Sequence, residues 1–341
     1  MLSPIPFSFE SKFDSILKTH LVSKISESLS AYENPSFLAG FIWPKDFSKE
    51  QILDLKANFQ QNLTSELSKA LHSIPDFQNP VTSIYIDFTL NQITFHIQPV
   101  YIFGHYKKFS RTITQTFPYC FHCKGQSCRL CNFTGREPCE SVQEIIAEPA
   151  QNLFQSNDNK FHGAGREDQD VRMLGNGRAF VLELIDPQKR SMDLSKLEQE
   201  INSKNQNKVE VIRLQYCLKA KIAEIKEAKF SKIYLAEVTG VKPFVKEKLL
   251  SLKNQTFELN QATPQRVQYR RAELIRKKRI KVLDIVPKTD CVFEIKLEAE
   301  AGAYIKEFIS SDQNRTKPSL AELLNNVCDC TALDVLEIIE N

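Results

Sequence analysis

The chain has 341 residues, 42% of them apolar and 26% charged, which is far from the composition of a disordered chain and enough for about two domains. Forty-five Lys and Arg stand against 42 Asp and Glu, so a net charge of +3 does not by itself argue for a polyanionic partner. No apolar run approaches the roughly 20 residues of a membrane helix, and the first residues lack the basic start and apolar centre of a signal peptide. The expectation is a soluble protein inside the cell, in cytoplasm or nucleus, with no membrane partner.

From Glu50 to Leu71 the apolar residues Leu55, Phe59, Leu63, Leu67 and Leu71 recur every fourth position, which predicts an amphipathic helix. The alternating runs Val81 to Phe88 and Ile93 to Phe103 around Asn91 predict a hairpin. Residues 1–115 therefore read as a small α+β unit, helices on one face of an antiparallel sheet. A second segment, 116–155, holds a cysteine cluster and a linker helix, and the polar stretch Gln155 to Lys160 reads as a boundary. Residues 156–341 open on a glycine-rich, charged loop and continue into strands at Ala179–Ile185, Val209–Leu214, Ile233–Val238, Lys281–Ile285 and Val292–Ala299. Helices follow Asp193, Ile305 and Leu320. The fold class is α+β, with a mixed, mostly antiparallel sheet in the larger unit.

Nine cysteines without an export signal favour metal ligation or buried thiols over disulfides. Four of them, Cys120, Cys123, Cys128 and Cys131, form two CxxC pairs in CFHCKGQSCRLC. Each pair can grip one face of a tetrahedral ion such as Zn2+, with His122 and Cys139 as substitute ligands. Four thiolates leave no open coordination position, so the site would be structural. The other reading is four thiols without metal.

Gly163, Gly165, Gly175 and Gly177 flank Arg166, Glu167, Asp168, Asp170, Arg172 and Arg178. A carboxylate among arginines suits a nucleophile or general base, and equally a structural salt-bridge loop. No phosphate-binding loop or dinucleotide fingerprint matches. Between Arg266 and Lys281 stand eight Lys or Arg and one acid, Glu273, with Tyr269 interleaved. That run, holding Arg266, Arg270 and Arg271, suits phosphates and stacked bases, and a smaller knot of Tyr106, Lys107, Lys108 and Arg111 suits the same partner. Two basic patches favour an extended RNA over a small anion.

The segments GREDQDVRMLGNGRAFVLEL, TPQRVQYRRAELIRKKRI and GAYIKEFISSDQNRTKPSLAELL, in that order, resemble the tRNA pseudouridine synthases of the archaeal and eukaryotic T-loop type. The likeness runs from about Phe103 to Ile339, and CxxCxGxxCxxCxxTG at Cys120 to Gly135 resembles the archaeal members in particular. The resemblance implies isomerisation of uridine to pseudouridine in the T-loop of tRNA by a monomer, with structural Zn2+ and no organic cofactor. It implies Asp168 as the catalytic nucleophile or base, Tyr234 in KIYLAEV as the residue that stacks on the flipped base, and Lys306 as the cation paired with Asp168. RNA contacts fall to Arg166, Arg172, Arg178, Arg266, Arg270, Arg271, Tyr106, Lys107, Lys108 and Arg111, and the N-terminal part would be a THUMP-like accessory domain. The chain departs from the family pattern in having no cysteine before Cys120 and in placing Ala303 where threonine is usual. The rival readings are a noncatalytic zinc-containing tRNA-binding protein, against which the intact Asp168, Tyr234 and Lys306 stand, and a zinc-stapled RNA chaperone, which leaves GRED unexplained.

Overall fold

A computed structural model of the chain describes residues 2–9, 12–137 and 139–340. The fold divides into two compact units. The first gathers the chain up to Ile102 with Ala147–Lys160 and Leu182–Leu197; the second takes Phe103–Ile146, Phe161–Val181 and the chain from Glu198 onward.

In the first unit Asp14 caps a helix, Ser15–Leu29, by accepting from the Leu17 amide, and the helix buries Leu17, Leu21, Ile25 and Leu29. Ser48 and Gln51 form a reciprocal capping box at the start of the next helical stretch, which is α-helical over Lys49–Leu55 and Gln61–Leu71. Between them Lys56–Gln60 widens into a π-helical turn. A stripe repeating strictly every four residues outruns 3.6 residues per turn, and one wide turn keeps it aligned. Phe59, Leu63 and Leu67 are accordingly buried.

The sheet beneath has the order Ile5–Pro6, Gln92–Ile97, Thr82–Asp87, Ser36–Ile42, Ile74–Pro75. The hairpin is present, but the sheet is mixed rather than antiparallel, because Ser36–Ile42 runs parallel to both Thr82–Asp87 and Ile74–Pro75. The helical stretch lies between these strands in sequence, and a crossover through a helix returns the chain in the same direction. The run after Asn91 also breaks at Gln98 and Pro99, and Val100–Lys108 joins the other sheet.

The second unit is built on a ten-stranded sheet. Its order is Thr316–Lys317, Thr256–Ala262, Ile275–Pro287, Val292–Ala299, Ser231–Gly240, Cys328–Ile339, Val171–Ile185, Val100–Lys108, Val209–Tyr216, with Asp158–Gly163 paired to Val171–Ile185. The registered pairings are antiparallel except where Leu333–Val335 meets Val171–Met173 in parallel. Gln155–Lys160 is thus partly strand. The glycine-rich segment is also not all loop: the strand begins at Val171, and Gly175 and Gly177 sit inside it at positive φ. A side chain at Gly175 would collide with the Leu336 carbonyl, so glycine here permits close approach of the neighbouring strand.

Candidate active site

Asp168 lies in the short turn between Asp158–Gly163 and Val171–Ile185, and buried polar side chains fasten that turn from below. The Gln115 amide donates to the Gly165 carbonyl at 2.9 Å and to the Tyr106 hydroxyl at 2.8 Å. That hydroxyl lies 2.7 and 2.9 Å from the two Glu167 oxygens, and Glu167 is ion-paired with Arg178 at 2.7 Å. Arg178 also donates to the Ala164 carbonyl. Burial, and then the Glu167 charge, pushes the Tyr106 phenol well above its ordinary pKa, so it stays protonated and donates. The Lys108 ammonium donates to the carbonyls of Ile113, Asp168 and Gln169 at 2.9, 3.2 and 2.7 Å, while burial brings its pKa down to about 8.

These contacts revise the expected RNA surface. Tyr106, Lys108 and Arg178 are buried and shape the Asp168 turn instead of facing solvent. Lys107 is paired with Glu210 at 3.1 Å. Arg111 and Arg172 both hold Asp334, whose side chain is only 6% exposed, and Arg111 also donates to the Asp170 and Leu333 carbonyls. A cation count along the sequence cannot reveal which cations find a carboxylate in the fold. Arg166 and Arg271 do remain exposed at the cavity rim. The Arg270 side chain lies outside the described residues.

Above the turn is a cavity of about 220 Å³. Asp168, Tyr234, Lys306 and Arg266 all line it, as do Lys232 and Leu333. The nearest cation to Asp168 is Arg266, whose Nη1 donates to Oδ2 at 2.7 Å. Lys306 Nζ stands 3.7 Å from the same oxygen and is engaged at 2.7 Å with both oxygens of Asp170. The expected aspartate–lysine pair is therefore an aspartate bracketed by two cations, with the arginine in front. Against the cost of partial burial, the bond from Lys306 and its charge hold Asp170 below the usual carboxylate range.

Arg266 is itself anchored: its Nε donates to Glu307 at 2.6 Å, and the Glu307 side chain is 5% exposed. Although burial opposes the charged form, Glu307 and Asp168 together raise the guanidinium pKa. Lys306 and Glu307 lead the helix Ile305–Ser310, which starts where Gln261 clasps Tyr304 by accepting from its amide and donating to its carbonyl. Adjacent helical residues point about 100° apart, so one faces the cavity rim and the other reaches Arg266 from within.

Tyr234 projects from Ser231–Gly240, the strand between Val292–Ala299 and Cys328–Ile339. Burial pushes its phenol up to about 12, so the tyrosine that lines the cavity is neutral. Lys232 stands two residues earlier, on the same face of the strand. Lys232 and Glu307 are not among the residues that the sequence motifs single out. For Lys232 the signal was there, since KxY on a strand puts both side chains on one face.

Away from the cavity, the Sγ atoms of Cys120, Cys123, Cys128 and Cys131 all lie within 4.8 Å of one another. The closest pairs are 3.7, 3.8 and 3.9 Å apart. A tetrahedron of thiolates around zinc at about 2.3 Å has edges of about 3.8 Å, so the donor set fits that ion. The amides of Ser127, Cys128 and Gly135 point at Cys123 or Cys131 sulfur at 3.2 to 3.3 Å. Burial works against the Cys131 thiolate, yet the Cys128 and Gly135 amides and the neighbouring thiols bring it to about 6. Among the described residues neither His122 nor Cys139 joins the group, and Cys139 instead lies 3.8 Å from the Thr114 hydroxyl.

A carboxylate flanked by cations and a tyrosine share a cavity smaller than a drug-sized ligand needs, which suits carboxylate chemistry on a small group. The family profile described as "Pus10, C-terminal" matches residues 101–339. The tRNA pseudouridine synthase Pus10 of Archaeoglobus fulgidus is 39% identical over 323 residues, covering 92% of this chain and 90% of that one. Its namesake in Methanocaldococcus jannaschii is 38% identical over 330 residues, covering 94% of this chain and 72% of that longer one. A solved Cbf5–Nop10–Gar1 complex overlaps at 15% identity and a TM-score of 0.33, over 57% of this chain and 44% of that one, too loosely to argue from. The chain belongs to the Pus10 family of tRNA pseudouridine synthases, which are isomerases.

Proposed function

We propose that this protein converts uridine to pseudouridine in the T-loop of tRNA, with Asp168 as the catalytic nucleophile or base. The observation that carries the reading is the placement of the Asp168 carboxylate in the cavity, 2.7 Å from Arg266 and 3.7 Å from Lys306, with the Tyr234 ring in the same wall. The Arg266 bond fixes the position of the carboxylate that a nucleophile or base must hold toward its substrate. A uridine must leave its stack to reach it, at a cost of a few kcal/mol, which stacking on Tyr234 would partly offset. The N1–C1′ bond then breaks, uracil turns, and a C5–C1′ bond forms; the C5 proton is lost and N1 takes one up, so atoms and redox state are unchanged overall.

At the rim, Arg166 and Arg271 are the exposed cations suited to phosphates. The first unit would serve as a THUMP-like RNA-binding accessory. Cys120, Cys123, Cys128 and Cys131 would hold Zn2+, which stiffens the segment around them and takes no part in the chemistry. The enzyme would act as a monomer inside the cell, where tRNA is found.

The test is incubation of the purified protein with unmodified tRNA transcript, followed by carbodiimide treatment and primer extension, with Asp168→Ala in parallel. A T-loop stop that the variant abolishes while keeping tRNA affinity supports the reading. Salt-sensitive tRNA binding without any stop overturns it in favour of a noncatalytic RNA-binding protein.

A further inference from the structure

Lys232 is a partly buried cation in the cavity whose charge nothing described so far employs. It lines the cavity beside Tyr234, and its Nζ donates to the Phe230 carbonyl at 3.0 Å, which leaves two of its three donors unused by the protein. Among the described residues no carboxylate pairs with it. Burial, and then the charge of Arg178, brings the ammonium down to about 8. A partly buried ammonium without a carboxylate partner is costly to desolvate, and an acceptor on a ligand in the cavity would offset that cost.

Residues two apart on a strand stand about 7 Å from each other on one face. A base stacked on the Tyr234 ring would share the cavity with the Lys232 ammonium, within reach of its long, flexible side chain. Uracil offers the carbonyl oxygens O2 and O4 at its edge. The exposed Arg166 and Arg271 at the mouth would suit the backbone phosphates, leaving Lys232 to the base. When the N1–C1′ bond breaks, its electron pair goes to uracil N1 and is shared with O2 and O4, whichever atom Asp168 engages.

We propose that Lys232 is a catalytic residue that donates a hydrogen bond to a carbonyl oxygen of the flipped uracil and stabilises the negative charge the ring gains as the glycosidic bond breaks. No proton need transfer; the ammonium keeps its hydrogens and returns to the Phe230 carbonyl when the product leaves. The contact strengthens as charge develops, so it acts on the rate more than on affinity. The inference rests on the isomerase reading above.

The experiment is single-turnover pseudouridine formation with unmodified tRNA transcript, and tRNA affinity by filter binding, for the full chain and for Lys232→Met and Lys232→Gln. Loss of one preorganised donor to developing charge should lower the rate of Lys232→Met by about 100- to 1,000-fold. Lys232→Gln, which keeps a neutral donor, should fall between it and the wild type, and both affinities should stay within about threefold. Thermal melts identify a variant that has lost its fold, and the glutamine variant then decides. Wild-type turnover with equal rates in the variants overturns the proposal while leaving the isomerase reading intact, and so does a rate loss matched by an equal loss of affinity. Absence of wild-type turnover instead removes the isomerase reading.

Discussion

Glu307→Gln tests whether the Glu307–Arg266–Asp168 chain positions the carboxylate. Breaking a buried ion pair usually costs about 3 to 5 kcal/mol, because the surviving charge is stranded. Here the survivor is not stranded: Arg266 is 38% exposed, so water screens it, and it keeps its bond to Asp168. Glutamine also retains an acceptor for the Arg266 Nε. What disappears is the charge assistance, the difference between about 1.5 to 3 kcal/mol for a charged hydrogen bond and about 0.5 to 1.5 for a neutral one. The expected loss is about 1 to 1.5 kcal/mol, or a fall in Tm of about 2 to 6 °C for a unit of this size. Function should suffer more, since a 1 Å misplacement of a reacting group can cost about 100-fold. Single-turnover pseudouridine formation should drop by about 10- to 100-fold with tRNA affinity within about threefold, and Glu307→Ala should lower both rate and Tm further. A Glu307→Gln enzyme that melts early yet reacts at the wild-type rate would refute the positioning argument.

Metal analysis of the purified protein should find one zinc per chain; stripping it with a chelator should lower Tm and restore on readdition, because metal binding and local folding are coupled. A metal-free protein with an unchanged melt would leave the four cysteines as plain thiols. Tyr234 bears on alkaline stability. Its folded pKa of about 12 lies above the ordinary 10.0, so the neutral phenol's contribution is present below pH 10 and fades as pH rises through 12. Denaturant midpoints at pH 9 and 11 should therefore converge more for Tyr234→Phe than for the wild type, and an identical drop in both would contradict the burial argument.

Much of the core was legible because periodicity is a local property. The strand Val292–Ala299 and the Leu63 and Leu67 stripe follow from side-chain alternation and helical spacing, which no distant contact needs to supply. The strands Ser36–Ile42 and Cys328–Ile339 escaped notice, the first with a glycine at Gly40 in its middle, the second as an apolar run of no decisive period. The parallel pairing of Ser36–Ile42 was hidden with it.

The candidate site divides in the same way. Motif order singled out Asp168, Tyr234 and Lys306, and the paired CxxC spacing singled out the four cysteines, because these are patterns of residue type along the chain. Which cation fronts Asp168 was not such a pattern. Arg266 is 98 residues away in sequence and reads there as one member of a basic run, no different from Arg271. Only the fold turns Arg266 inward onto Glu307 and Asp168, sinks Lys108 and Arg178 beneath the turn, and leaves Arg166 and Arg271 at the rim. Charge is written in the sequence, but its partner and its exposure depend on long-range packing, and those two quantities decide whether a cation binds RNA, tunes a carboxylate or holds a loop.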